Sequence, residues 1–113
     1  MNGIERIAAE RQRQIEKEGW SAEHDDDHRG GEIAQAAATY ALHSTGKYGY
    51  RALTWPWHWS WWKPSQDPIR DLEKAGALIA AEIDRRLRAK VRADALSEMA
   101  AADAASGLLD QSK

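Results

Sequence analysis

Apolar positions recur at helical spacing in three stretches of the chain, and none alternates as a half-buried strand would. In the first, about 4–18, Ile4, Ile7, Ala8 and Ile15 share one face, and Gly19 is placed to end the helix. Glu10, Glu16 and Glu18 alternate there with Arg11, Arg13 and Lys17, on the side expected to meet solvent. The second, about 31–44, runs from Glu32 and Ile33 through an alanine run to Tyr40 and Leu42. Its small side chains suit close approach of helix axes. The third, about 68–90, has the sharpest start, with Asp67 as N-cap and Pro68 at the first helical position. Ile69, Leu72, Gly76, Ile79, Ile83 and Leu87 follow at intervals of three and four. No Gly or Pro stands between Ala77 and Ser106. Residues 93–113 therefore read as a further helix or an extension, with a frayed tail from Gly107.

Residues 46–66 join the second and third helices as a long loop. Trp55, Trp57, Trp59 and Trp61 alternate along it, which in an extended chain puts four indoles on one side. Disordered segments avoid aromatics, so this loop is expected to be ordered and to cover something. Together the elements predict an all-α fold, a compact bundle of three to four helices with a Trp-rich loop, in which 1–92 form the helical domain.

Composition sharpens one point. The chain holds 21 Ala but only 7 Ile, 8 Leu, 1 Val and no Phe, so the aliphatic core is thin. Either the six Trp supply its volume or another copy buries the remainder. The third helix adds to its aliphatic stripe a second, alanine-rich side at Ala75, Ala77, Ala80 and Ala81. Two short partner helices cannot cover both, so a homo-oligomer is expected. A net charge of −2 gives no field to recruit nucleic acid, and the absence of Cys removes disulfides and thiol chemistry. No run is long and apolar enough for a membrane span, and residues 1–18 lack the apolar core of a signal peptide. A cytoplasmic location is the expectation.

Four features are candidates for chemistry. His24, Asp25, Asp26, Asp27 and His28 offer nitrogen and oxygen ligands at short range, with Glu32 four residues beyond. Carboxylates suit Mg²⁺ or Mn²⁺, and imidazoles shift the preference toward Mn, Zn or Ni. Acids just before a helix also serve its dipole. His24-Asp25 is the dipeptide of HD-type metal phosphohydrolases, but these need a separate upstream His, and none precedes residue 24. Asp71 shares a side of the third helix with Lys74, where the plain expectation is a surface ion pair; Glu82 and Asp84 read as ordinary surface charges. In the aromatic loop an indole suits a nucleobase, with Lys63, Lys47 and Arg51 near for phosphates, although Trp also serves as core and lid. The basic run 85–92 reads as a solvated helix end or a phosphate contact.

Two resemblances rest on these residues. The segments EGWSAEHDDDHRGGEIAQAA and WWKPSQDPIRDLEKAGALIAAEID resemble small phage and prophage proteins of unassigned activity. More widely, the order of parts is similar to the all-α NTP pyrophosphohydrolases, the MazG-like and dimeric dUTPase-like superfamily. That order is Gly19-Trp20 and His24 leading into a Glu-bearing helix, then an aromatic-basic connection, then a helix with an acid near its start. The resemblance implies a helical, oligomeric, Mg²⁺-dependent protein cleaving nucleoside triphosphates to monophosphate and pyrophosphate. Glu32 matches the first acid of the family's Glu-x-x-Glu pair and Gln35 replaces the second. Asp71 matches on the later helix and Lys74 replaces its partner acid.

Three readings follow. As a hydrolase, the protein would hold a divalent metal, Mg or Mn, through His24, Asp25, His28, Glu32 and Asp71. Asp26 would orient water and Lys74 neutralise a phosphate oxygen, with Trp59, Trp62, Lys63 and Arg70 contacting the nucleotide. As a binding module it would sequester a nucleotide or signalling molecule without catalysis. As an inhibitor of a host protein it would act through exposed Trp.

Overall fold

The computed structural model describes the backbone of residues 1–111 and the side chains of 1–107. Its elements are α1 (Gly3–Glu18), α2 (Ala22–Asp26), α3 (Glu32–His43), α4 (Arg51–Thr54), a 3₁₀ turn (Trp59–Trp61) and α5 (Pro68–Gln111). Among the described residues there is no strand, and the all-α expectation holds.

Local chemistry explains the helix ends. Asn2 and Glu5 form a reciprocal capping box at the start of α1, and Gly19 closes it with a φ of +73°. Ser21 caps α2, a single short turn that no periodicity can announce. At α5, Asp67 Oδ1 accepts from the Ile69 N–H at 3.0 Å, and Pro68 occupies the first turn as expected. α5 then runs unbroken to Gln111, which decides the fate of residues 93–111 in favour of one continuous helix. It projects beyond the bundle, giving the molecule a length of 72 Å. Helix rather than fraying is found at 107–111; residues 112–113 lie outside the described residues.

The core is built between α3 and α5. Ile33, Ala36, Ala37 and Tyr40 meet Ala75, Leu78 and Ala81, and Trp55 closes one side, with Trp20, Trp57 and Trp62 packed around it. Indoles therefore supply the volume that aliphatic residues lack. The alanine-rich side of α5 is the buried one. The aliphatic stripe is not: Ile69, Leu72, Ile79, Ile83 and Leu87 are each 50–57% exposed.

α1 also turns out differently from its apolar pattern. Ile4 and Ile15 are exposed, whereas Glu10 (3% exposed) and Gln14 are buried. The cause is electrostatic. Arg70 Nη2 of α5 lies 2.6 Å from Glu10 Oε1, Arg6 reaches Glu73 at 3.2 Å, and Arg11 reaches Asp25 at 3.2 Å, so ion pairs set the rotation of α1. Ile7 alone of its aliphatic face packs inward, against Gly76. The connection 46–66 is shorter in loop than expected, because α4 and the 3₁₀ turn interrupt it.

Candidate functional site

The turn of α2 places His24 and His28 beside the aromatic connection. Their rings lie 4.8 Å apart, His24 stacks on Trp20, and His28 meets Trp57 edge-on at 5.3 Å. With His58 and Trp61 these residues wall a cavity of about 310 Å³. That is at the small end of ligand pockets and ample for a planar heterocycle.

Hydrogen bonding fixes what the imidazoles present. Nδ1 of His24 donates to Asp25 Oδ1 at 3.0 Å, and Nδ1 of His28 to Glu32 Oε2 at 3.2 Å, so that in the neutral imidazole each Nε2 is an acceptor. His58 is the reverse. Its Nδ1 accepts the Ser60 N–H at 3.2 Å, so its Nε2 carries the proton. The cavity thus combines indole faces with two acceptors and one donor.

Trp20 and Trp61 also border a charged cleft, floored by the buried Gln14 and Tyr40. Glu10 accepts from Arg13 at 2.7 and 2.9 Å, Glu18 accepts from Arg13 and from Lys63 Nζ at 3.3 Å, and Lys74 Nζ donates to the Lys63 carbonyl at 2.6 Å. Burial pushes Glu10 up, but the Arg13 and Arg70 guanidiniums outweigh it and hold the carboxyl below its usual value. Burial, aided by Arg70, pushes Lys74 down. Burial pushes the Tyr40 phenol up to about 12. Lys74 directs its ammonium at a carbonyl rather than a carboxylate, and it is the cleft's source of unneutralised positive charge.

The residues expected to hold a metal are divided. His24, Asp25, His28 and Glu32 do lie together. Asp71 does not join them. It is buried at the far end of α3, accepting from His43 Nδ1 at 2.8 Å and from the Ser65 N–H at 2.8 Å. Glu32 and His43 stand eleven positions apart on one helix, about 16 Å of rise. The four carboxylates expected to hold a metal or orient water already have partners: Arg11 and His24 for Asp25, Arg88 at 2.9 Å for Asp26, His28 for Glu32 and His43 for Asp71. Among the described residues no group of three His, Asp or Glu side chains is set to hold an ion. With these partners in place, Asp25, Glu32 and Asp71 offer few free oxygens to a hard octahedral cation such as Mg²⁺.

The structure places other residues away from the surroundings their pattern suggested. Lys74 makes no ion pair with Asp71. Glu82 is buried and bonded to Arg85, and Arg88 is committed to Asp26, so the start of the basic run is structural. Arg70 is held by Glu10 and Glu73. The 3₁₀ turn breaks the alternation of the indoles: Trp59 lies outside the cavity under the Arg51 guanidinium, and Trp62 packs on Tyr40 and Trp55. Trp57 and Trp61 are the loop indoles at the cavity. His58 carried no sequence signal, whereas the i,i+4 spacing of Glu10 and Gln14, with Ile7 one turn earlier, marks a shared face from which Gln14 could be found.

Compared with known proteins, the chain matches no family model, and no curated protein or solved structure at a significant level.

Proposed function

We propose that the protein binds a nucleotide, with the base between the indoles of the cavity and the phosphates directed at Lys74. One observation carries this reading: the aromatic cavity shares Trp20 and Trp61 as walls with a small charged cleft of about 20 Å³, in which the Lys74 ammonium has no carboxylate partner. A heterocycle linked to an anionic tail is the ligand chemistry that such a pair of neighbours suits. Indole faces stack any base, and the His24 and His28 acceptors with the His58 donor suit the polar edge of one. Binding is favoured over triphosphate hydrolysis because the carboxylates a metal would need are paired with Arg or His.

The test is titration of a panel of nucleoside triphosphates against intrinsic Trp fluorescence, with and without Mg²⁺, alongside an assay for released pyrophosphate. Saturable quenching without metal, weaker for the matching nucleoside and with no pyrophosphate, is expected. Metal-dependent release of pyrophosphate would return the hydrolase reading. A panel that leaves the fluorescence unchanged would overturn both.

A further inference from the structure

Three histidines line the aromatic cavity, and each has its Nδ1 already hydrogen-bonded within the chain. The partners decide where the protons sit. The Asp25 and Glu32 carboxylates only accept, so His24 and His28 carry a proton on Nδ1. The Ser60 N–H only donates, so the His58 Nδ1 is bare and its ring proton is on Nε2. Nε2 lies on the far side of each ring from the backbone, and it is the nitrogen left to a ligand. The neutral rings of His24 and His28, with centroids 4.8 Å apart, therefore offer two neighbouring acceptors.

The other side chains of the wall bring no acceptor. Trp20, Trp57 and Trp61 have only an indole N–H, which donates, as does the His58 Nε2. A ligand edge that satisfies both imidazoles must bring two N–H bonds, with a lone pair beside them for His58. Adenine and cytosine carry two N–H bonds on one exocyclic amino group, next to a ring nitrogen that accepts. Guanine carries a ring N–H and an amino group, next to its carbonyl. In a nucleotide, uracil, thymine and hypoxanthine each have a single ring N–H and otherwise acceptors. Any of these three leaves one imidazole in the cavity without a donor, and an unmet polar group walled by indoles is costly. Stacking on an indole is tolerant of the base, so the choice falls to the imidazoles.

We infer that the cavity selects bases bearing an exocyclic amino group, through the Nε2 acceptors of His24 and His28, and discriminates against uracil, thymine and hypoxanthine. The inference rests on the nucleotide reading above and adds the class of base to it.

Calorimetric titration of the full chain without metal, at about pH 8 where imidazole is neutral, tests it with two pairs of equal shape. These are CTP with UTP and ATP with ITP, in which an oxo group and a ring N–H replace the amino group and the ring nitrogen. The amino member of each pair is expected to bind about tenfold tighter. His28→Phe keeps a ring beside Trp57 and removes one acceptor, so the ratio of CTP to UTP affinity should fall to about one. His24→Phe should do the same and serves if His28→Phe fails to fold; the wild-type ratios decide without either. Equal affinities within both pairs overturn this inference and leave nucleotide binding standing. A ratio that survives in a folded variant also overturns it, because the selection then lies outside the imidazoles. If no nucleotide of either pair binds, the nucleotide reading falls and this inference with it.

Discussion

The Nδ1 of His43, at the last turn of α3, lies 2.8 Å from the Oδ2 of Asp71, which is 1% exposed in the first turn of α5. The second Asp71 oxygen accepts the Ser65 N–H at 2.8 Å. One carboxylate thus ties the end of α3, the end of the aromatic connection and the start of α5 together. Its place is structural.

His43→Ala strips that buried carboxylate of one of its two partners, leaving it desolvated without full compensation. A loss of about 2–3 kcal/mol in urea unfolding is expected. A change below about 0.5 kcal/mol, the scatter of ordinary surface substitutions, would show that the pair does not hold the helices together.

A side chain at Gly76 would put its Cβ 2.6 Å from Ile7 Cδ1 and 2.7 Å from Ile7 Cγ1. Gly76→Ala alone therefore meets overpacking of about 1–3 kcal/mol, against a gain of about 1 kcal/mol in helix propensity. Once Ile7→Ala has opened the contact, the same change is expected to stabilise by up to about 1 kcal/mol. Urea midpoints of the two single variants and the double variant give the coupling. Additivity would deny that Ile7 and Gly76 touch.

The acid limb of stability follows from the buried pairs. Glu10, Glu18 and Glu82 are each desolvated, yet their Arg and Lys partners hold all three below the usual 4.5. The native state then binds fewer protons than the unfolded chain in acid. The stability these pairs contribute is complete above about pH 4.5 and is lost as pH falls through the lower folded values. Denaturation midpoints measured from pH 7 down to pH 3 should fall, and Glu10→Gln should flatten the slope. An unchanged slope would remove Glu10 from this account.

The indoles are separable by ligand binding. Trp61 borders both the cavity and the cleft, whereas Trp59 borders neither. Trp61→Ala should weaken nucleotide binding about tenfold, consistent with about 1–3 kcal/mol for a stacked base. Trp59→Ala should leave it unchanged. Equal losses in both would mean that the base lies elsewhere on the loop.

Much of the helical framework was legible in the chain. Spacing found α1, α3 and α5, Gly19 and the Asp67-Pro68 cap marked boundaries, and the scarcity of aliphatics pointed to Trp as core. These are local properties, written in periodicity and in the backbone needs of helix ends. What tertiary structure decided was which face of each helix turned inward. The alanines of α5 are buried because they let α3 come close, and so the stronger aliphatic stripe stays outside. On α1, ion pairs to Arg70 and Asp25 overrode the isoleucine pattern, since long-range charge partners leave no periodic trace. The division of the acidic residues between the two ends of α3 was equally hidden. Spacing says which residues share a face, but which end of an antiparallel neighbour they meet depends on how the connection of some twenty residues returns the chain, and its short turns carry no repeat to read.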